Sequence, residues 1–206
     1  MLTAQDLDSV ASGGELTIAP ATLVTPLARD EAERRNITLR MVEPRGGPPG
    51  RVVAIGADHG GYPLKEELKS YLRTWGYTVL DQGTDSTDDV DYPDFAEAVA
   101  NAVVRGDAWR GIIIDSAGIG SAIAANKVPG ARAALCYDRP SARNSREHND
   151  ANVLSLGAKT ISSDAAREIV ALWLETPFAG GRHQKRIDKI RAIESRSRGG
   201  SSDPPK

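Results

Sequence analysis

The sequence predicts an α/β protein built on a doubly wound, parallel sheet of about five strands. Two observations support this prediction. Short apolar stretches alternate with segments of helical periodicity from residue 51 onward, and strands that alternate with helices form parallel sheets covered on both faces. The length of 206 residues is sufficient for one sizeable domain and an extension. In this fold class, ligands bind outside the carboxyl ends of the strands.

The predicted elements follow one another in regular order. Residues 52–55 form a buried first strand, and leucines at helical spacing mark a helix over residues 63–75, which Gly76 ends. Further strands are predicted at residues 78–80, 112–114, 133–136 and 152–156. Further helices are predicted at residues 95–104, from 121, near 141–146, at 164–174 and at about 184–194.

The first 45 residues have a pattern of their own. Strand-like stretches at residues 15–18 and 37–42 flank a helix that Thr25 caps and Pro26 opens, with its end at residue 34. This pattern predicts a small β-α-β appendage, which is too short to bury much core alone and should dock on the main domain, a neighbouring subunit or another protein. An oligomerisation arm and a targeting module are both open interpretations.

The domain boundaries follow from composition. Residues 46–50, Gly-Gly-Pro-Pro-Gly, are typical of a linker between the extension and a main domain at 51–194. The polar residues 195–206 predict a disordered tail.

Charge and cysteine content narrow the class of protein. Lys and Arg number 26 against 28 Asp and Glu, and the net charge of −2 provides no overall field for nucleic acid or an anionic membrane. The start lacks a leader pattern and no apolar run is long enough for a bilayer, which predicts a cytoplasmic protein. The single cysteine, Cys136, excludes an intrachain disulfide and fits a reducing compartment.

The most informative motif is Asp-Ser-Ala-Gly-Ile-Gly-Ser at residues 115–121, directly after the strand at 112–114. Its small residues allow several backbone N–H groups to converge at the start of a helix, where the helix dipole favours an anion. Two interpretations remain open for Asp115. It could transfer a proton beside a developing oxyanion, or it could be the capping residue of a hydrophilic loop.

Three further motifs carry candidate chemistry. Asp58 and His59 precede a glycine pair that matches neither a dinucleotide-binding fingerprint nor a phosphate-binding loop, and they could act on a ligand or serve as cap and surface group. His148 could pass a proton to a ring oxygen or cap a helix. Arg182 and Arg186, four residues apart, could grip a phosphate or form a solvated basic turn.

Together these motifs resemble the ribose-5-phosphate isomerase B family, which includes the galactose-6-phosphate isomerase subunits. The resemblance covers residues 51–194 and is carried by residues 56–61, 91–94, 118–120 with 123–127, 148–154 and 180–183. It implies a Rossmann-like domain that acts as a dimer or dimer of dimers, with active sites shared between two subunits and no metal or cofactor. The implied activity is an aldose–ketose isomerase of carbohydrate metabolism, converting ribose 5-phosphate to ribulose 5-phosphate through an enediolate.

The resemblance also implies roles for individual residues. Asp58 would shuttle protons at the substrate oxygens, His148 would open the furanose ring, and backbone N–H groups from Ser116 to Gly120 would stabilise the enediolate. Lys159 stands where the family often has a phosphate-binding arginine. A lysine keeps the positive charge but lacks the forked pair of donors with which a guanidinium binds phosphate. The expected catalytic residues are Asp58, Asp115, Ser116 and His148. The expected substrate-binding residues are His59, Tyr92, Gly118, Ile119, Gly120, Ser121, Asn149, Lys159, Arg182 and Arg186.

Asp115 departs from the family pattern. Many members have at this position a cysteine that removes the proton from the sugar carbon, and others use a glutamate where this chain has Ser121. As the only carboxylate of the loop, Asp115 is the expected carbon base, while Cys136 should pack as a small apolar residue of the next strand. The alternatives are an isomerase of another pentose or hexose phosphate, or a non-catalytic sugar-phosphate-binding or assembly protein.

The extension bears a second resemblance. Residues 25–32 and 37–39 look like a short module found on some enzymes of bacterial microcompartments. This implies a microcompartment shell or cargo protein as a partner and a location within such a compartment.

Overall fold

The computed structural model describes residues 2–8, 10–18, 24–41 and 51–199. The chain divides into two compact units, Met1–Gly46 and Gly47–Lys206. The whole of the predicted linker, residues 46–50, and residues 200–206 of the predicted tail lie outside the described residues.

The first unit has the predicted β-α-β arrangement. Strand β1 (Glu15–Ile18) pairs in parallel with strand β2 (Thr38–Met41), and helix α1 (Pro26–Arg34) connects them. The Thr25 side chain accepts a hydrogen bond from the Ala28 N–H at 3.2 Å, which confirms the predicted cap. This unit has a small apolar core of its own, formed by Leu2, Leu7, Ala28, Ala32 and Ile37.

The second unit confirms the predicted α/β class with a five-stranded sheet in which every pair is parallel. The strands are β3 (Val52–Ala57), β4 (Thr78–Asp81), β5 (Arg110–Asp115), β6 (Ala133–Leu135) and β7 (Val153–Gly157), in the order β4-β3-β5-β7-β6. The helices are α2 (Tyr62–Thr74), α3 (Tyr92–Arg105), α4 (Ile119–Ala125), α5 (Arg139–Glu147), α6 (Ser163–Glu175) and α7 (Gln184–Gly199).

Both faces of the sheet are covered, because successive side chains of a strand point to opposite faces. Ile112 and Ile114 belong to one buried cluster, together with residues of α2 and α6 such as Leu68 and Trp173. Ile113 belongs to a second cluster with residues of α3 and α4. No helix in the described part of the chain combines the length and apolar character that a membrane span requires.

Several element boundaries differ from the predictions. Helix α3 begins at Tyr92 rather than residue 95, since Pro93 suits a first helical turn, and α4 begins at Ile119 rather than 121 after the left-handed Gly118. Helix α7 continues to Gly199, past the predicted end at 194, because extending a helix costs much less than starting one. Cys136 lies one residue beyond β6, not within it, although it is buried as predicted.

The topology defines two edges of the sheet that matter for function. At the carboxyl edge the strands end, at Ala57, Asp115 and Gly157. At the amino edge the strands begin, and the helices that return across the sheet, α5 and α6, end there. Strand β5 alone covers five residue steps from one edge to the other, which is about 17 Å.

Candidate functional site

The structure separates the predicted site residues into two groups. The carboxyl-edge cluster contains Asp58, His59, Tyr92, Asp115, Ser116, Gly118, Ile119, Gly120, Ser121 and Lys159. The amino-edge cluster contains His148, Asn149, Arg182 and Arg186. The topology places them on opposite edges, and among the described residues no hydrogen bond, ion pair or ring contact joins the side chains of one cluster to those of the other. One chain therefore does not assemble the predicted residues into a single pocket.

The side chain of Asp115 is enclosed by the turn of residues 116–121, whereas the sequence placed it beside that turn. Its carboxylate is buried at the end of β5, with 5% of the residue exposed. One oxygen, Oδ1, accepts hydrogen bonds from the N–H groups of Ala117, at 2.7 Å, and Gly118. The other, Oδ2, accepts from the N–H of Ser121 at 3.1 Å and from its hydroxyl at 2.5 Å. A carboxylate has about four lone-pair sites, so these donors fill its hydrogen-bonding capacity.

The turn consequently offers fewer backbone amides to a bound anion than the sequence predicted. Its donors at Ala117, Gly118 and Ser121 serve Asp115. The N–H groups of Ser116, Ile119 and Gly120 have no hydrogen-bond acceptor within the described part of the chain. These three amides are the ones that remain for the oxygens of a substrate.

Two glycines shape this turn. Gly118 has a left-handed backbone with φ 79°, and a Cβ there would lie 2.8 Å from the backbone carbon of Leu156. A Cβ at Gly120 would lie 2.5 Å from Cζ of Tyr92. The aromatic ring at the start of α3 thus packs directly on the start of α4, which brings Tyr92 into the carboxyl-edge cluster.

Asp58 and Ser116 approach each other from neighbouring strand ends. The Asp58 carboxylate is buried and accepts a hydrogen bond at 2.9 Å from the N–H of Gly61, the residue directly before α2. A Cβ on Gly60 would lie 2.5 Å from the Ser116 hydroxyl oxygen and 3.4 Å from Oδ1 of Asp58. The missing side chain of Gly60 thus leaves the carboxylate and the hydroxyl on one small surface.

A histidine and a lysine flank this surface. Nδ1 of His59 lies 3.2 Å from the Val90 nitrogen, which donates to it, and Nε2 lies 3.5 Å from a carboxylate oxygen of Asp89. Lys159 is exposed, and its backbone N–H donates to the Ser116 carbonyl at 2.9 Å. The carboxyl edge therefore combines two buried carboxylates, a hydroxyl, free amides and positive charge. Proton transfer and anion stabilisation both require such groups.

The amino-edge cluster is organised around two stacked imidazoles. His148 caps the end of α5, and its ring is parallel to that of His183, with 4.0 Å between centroids and 8° between planes. Nδ1 of His148 lies 2.8 Å from the Asn144 side-chain nitrogen, which donates to it. An amide nitrogen can only donate, so in this arrangement Nδ1 of His148 accepts and Nε2 is the ring nitrogen left to donate.

His183 was absent from the candidates predicted from sequence, although the Gly-Gly-Arg-His motif contains it. Its ring nitrogens lie 3.4 Å from Nε of Arg182 and 3.4 Å from Nη1 of Arg186, and the residue is buried. Burial is the main cause that lowers the pKa of His183; His148, Arg182 and Arg186 lower it further, while Glu147 opposes them. Only its position between the two arginines in sequence could have drawn attention to it.

Asn149 lies in a groove at the amino edge. The groove runs between the starts of β6 and β7 and helix α7, and Ala131, Ile190 and Ile193 also line it. In the described residues, no three His, Cys, Asp or Glu side chains are grouped closely enough to hold a metal ion.

Known proteins resemble this chain over the second unit. A family model described as Ribose/Galactose Isomerase matches residues 53–190. Ribose-5-phosphate isomerase B of Escherichia coli is 45% identical over 144 residues, which cover 70% of this chain and 97% of the relative. D-erythrulose-4-phosphate isomerase of Pectobacterium atrosepticum is 42% identical over 139 residues, which cover 67% of this chain and 91% of that protein. The solved structure of ribose-5-phosphate isomerase B from Clostridium thermocellum is 51% identical, with a TM-score of 0.70 over 71% of this chain and 99% of its own.

Proposed function

Because the chain belongs to the ribose/galactose isomerase family, we propose that it interconverts ribose 5-phosphate and ribulose 5-phosphate. It is a sugar-phosphate isomerase. The observation that carries the choice of sugar is the near-complete coverage of a relative named for ribose 5-phosphate, at 45% identity. A relative named for D-erythrulose 4-phosphate makes another sugar phosphate the second candidate.

The first step is opening of the furanose ring. In the proposed role, the Nε2–H of His148 donates a hydrogen bond to the ring oxygen while the bond between C1 and that oxygen breaks, because Nδ1 already accepts from Asn144. Asp58 takes the proton from the anomeric hydroxyl, passes it to the freed ring oxygen, and later carries protons between the two substrate oxygens. The open-chain aldose then presents the hydrogen on C2 to the carbon base.

Asp115 is the proposed carbon base, which moves a proton from C2 to C1. Its four hydrogen bonds must be rearranged for this, and only one of them can reverse direction. A backbone amide can only donate, whereas the Ser121 hydroxyl can rotate and accept a hydrogen bond from a protonated carboxyl. Oδ2 of Asp115, 2.5 Å from that hydroxyl, is therefore the proposed proton acceptor. The free amides of Ser116, Ile119 and Gly120 would stabilise the enediolate oxygens.

The location of the phosphate requires a second copy of the chain. Arg182 and Arg186 lie at the amino edge, whereas Asp115 lies at the carboxyl edge, about 17 Å away along β5. A pentose phosphate does not bridge these edges within one chain. We propose that the amino-edge cluster of one copy completes the carboxyl-edge cluster of another, with the arginines gripping the phosphate alongside His59.

The test is coupled turnover of ribose 5-phosphate, together with deuterium exchange from solvent into the sugar. Asp115→Asn should lower kcat by about 100-fold or more, because removal of a general base typically costs 10²–10⁴ in rate. Asp115→Cys should retain part of the activity. Asp164→Asn, at an exposed carboxylate that pairs with Arg167 and lies outside both clusters, is the matched control. Full turnover by Asp115→Asn would remove Asp115 from the mechanism, and faster turnover of another sugar phosphate would replace ribose 5-phosphate.

We further propose that the first unit docks the enzyme in a bacterial microcompartment. Support comes from its separate core and its identity as a compact unit of its own. Deletion of residues 1–45 should abolish co-purification with shell proteins and leave turnover intact. Collapse of turnover after the deletion would instead make this unit a structural part of the enzyme.

A further inference from the structure

We propose that His183 is a positioning residue of the amino-edge cluster, which fixes the ring of His148 and joins it to Arg182 and Arg186. The inference rests on the isomerase roles proposed above for His148 and the arginines. It adds a link between phosphate binding and ring opening that the individual motifs do not contain.

The stacking geometry indicates how His183 fixes the ring of His148. The two imidazoles are nearly parallel, at 8° and 4.0 Å, so His183 covers one face of the His148 ring. Asn144 holds the same ring at Nδ1, from the preceding turn of α5. A face contact and an edge contact together fix both the plane and the rotation of the ring. Nε2 of His148, the proposed hydrogen-bond donor to the ring oxygen, is consequently aimed in one direction.

Arg182 and Arg186 connect His183 to the proposed phosphate site and favour its neutral form. Both ring nitrogens of His183 face guanidinium donors at 3.4 Å, one from Arg182 and one from Arg186. A protonated His183 would present donors to donors and would add a third positive charge, so the ring is held neutral. In this neutral form it can stack on His148 and accept a hydrogen bond from an arginine.

An anion at the two arginines changes this balance. The charged or titratable groups around His183 are His148 and Glu147 from the end of α5, and Arg182 and Arg186 from its own segment. A bound phosphate would offset the positive charge of the arginines, which is one of the causes that lower the pKa of His183. Phosphate binding should therefore raise the pKa of His183, and the ring beneath His148 would respond to the occupied site.

The experiment is an NMR titration of the full-length protein with labelled histidine, with inorganic phosphate as the probe. The chain contains three histidines, so three imidazole signals are expected, and His59→Gln and His148→Gln assign them. In the unsubstituted protein, His183 should titrate below its ordinary range and phosphate should raise its midpoint. His148 should show the tautomer with the proton on Nε2.

Variants separate positioning from simple packing. His183→Ala should broaden the His148 signals and mix its tautomers, while His183→Phe, which keeps a flat ring, should restore them. Gln184→Ala is the matched control, because its side chain contacts Asp188 rather than either imidazole. Unchanged His148 signals in His183→Ala, or a His183 midpoint that phosphate does not move, would overturn the inference.

The readout is independent of the sugar. Failure of the unsubstituted protein to turn over ribose 5-phosphate would reject the proposed substrate and leave the titration result standing. Normal turnover together with unperturbed imidazole signals would reject only the role of His183.

Discussion

Asp115 shows how one side chain can alter a whole turn. A strand that ends in a carboxylate beside three convergent amides forms internal hydrogen bonds, and Ser121 adds a fourth from its hydroxyl. A smaller acceptor at this position would leave those amides to a substrate oxygen. The Asp115 carboxylate thus occupies the anion-binding amides of the turn itself. Proton transfer at Asp115 depends on the Ser121 hydroxyl, because it is the one hydrogen-bond donor of the four that can also accept.

At the residue scale, Gly120→Ala should lower activity far more than stability. The added Cβ would lie 2.5 Å from Cζ of Tyr92, at the far end of a side chain that is 39% exposed and can swing away. We expect a change in unfolding free energy of less than about 1 kcal/mol, because no buried group loses its partner. Turnover should fall about tenfold or more as the Tyr92 hydroxyl moves, measured by kcat/KM beside a urea titration.

Two other glycines provide the comparison for this prediction. Gly118→Ala should destabilise by about 3 kcal/mol, because a left-handed backbone and a clash with Leu156 add together. Gly106→Ala should cost only about 1 kcal/mol, since its φ is 84° but no atom lies within 4 Å of the new Cβ. A loss of stability at Gly120 as large as that at Gly118 would show that Tyr92 is held in place.

At the element scale, strand β5 contributes a functionally placed side chain at each edge of the sheet. Its last residue, Asp115, lies in the carboxyl-edge cluster, and its first residue, Arg110, caps the end of α6. The Arg110 guanidinium donates to the carbonyls of Trp173 at 2.5 Å, Leu174 at 2.9 Å and Thr176 at 3.2 Å. Carbonyls at the end of a helix have no hydrogen-bond donor within it, so Arg110 of β5 supplies the donors at the end of α6. The chain continues from there to the segment of His183.

Arg110→Leu should therefore destabilise the second unit. Loss of the guanidinium leaves the buried carbonyls of Trp173 and Leu174 without this donor, while that of Thr176 keeps a hydrogen bond from Arg146, and we expect a decrease of about 3 kcal/mol in unfolding free energy. Urea unfolding measures this decrease. Arg105→Leu, at the exposed last turn of α3, is the control and should change the free energy by less than about 0.5 kcal/mol. Equal effects of the two substitutions would contradict the capping role.

At the scale of the whole molecule, the separation of the two clusters predicts complementation. Asp115→Asn and His148→Gln should each be nearly inactive, and a refolded equal mixture should recover about a quarter of normal activity. Half of the randomly formed dimers would be mixed, and one of their two shared sites would be intact. The control pairs Asp115→Asn with Asp58→Asn, two changes in the same cluster, and should recover nothing. Absence of recovery in the first mixture would contradict a site shared between copies.

Much of the fold could be predicted from local patterns. The Thr25 cap with Pro26, the five strands and the placement of Asp58 and Asp115 at strand ends are confirmed. Each depends on residues within one turn of helix or one strand, where periodicity and turn chemistry have few solutions. Boundaries such as the start of α4 at Ile119 were less accurate, since they depend on a backbone torsion at Gly118.

The residues of the candidate site were also named from motifs, but their neighbours were not. Which donors meet Asp115, which ring lies on His148, and which edge holds each cluster all depend on packing between segments far apart in sequence. Residue types at strand ends are a local property that can be read along the chain. The meeting of His148 with His183, and the separation of both from Asp115, follow from the direction in which α5 and α6 cross the sheet.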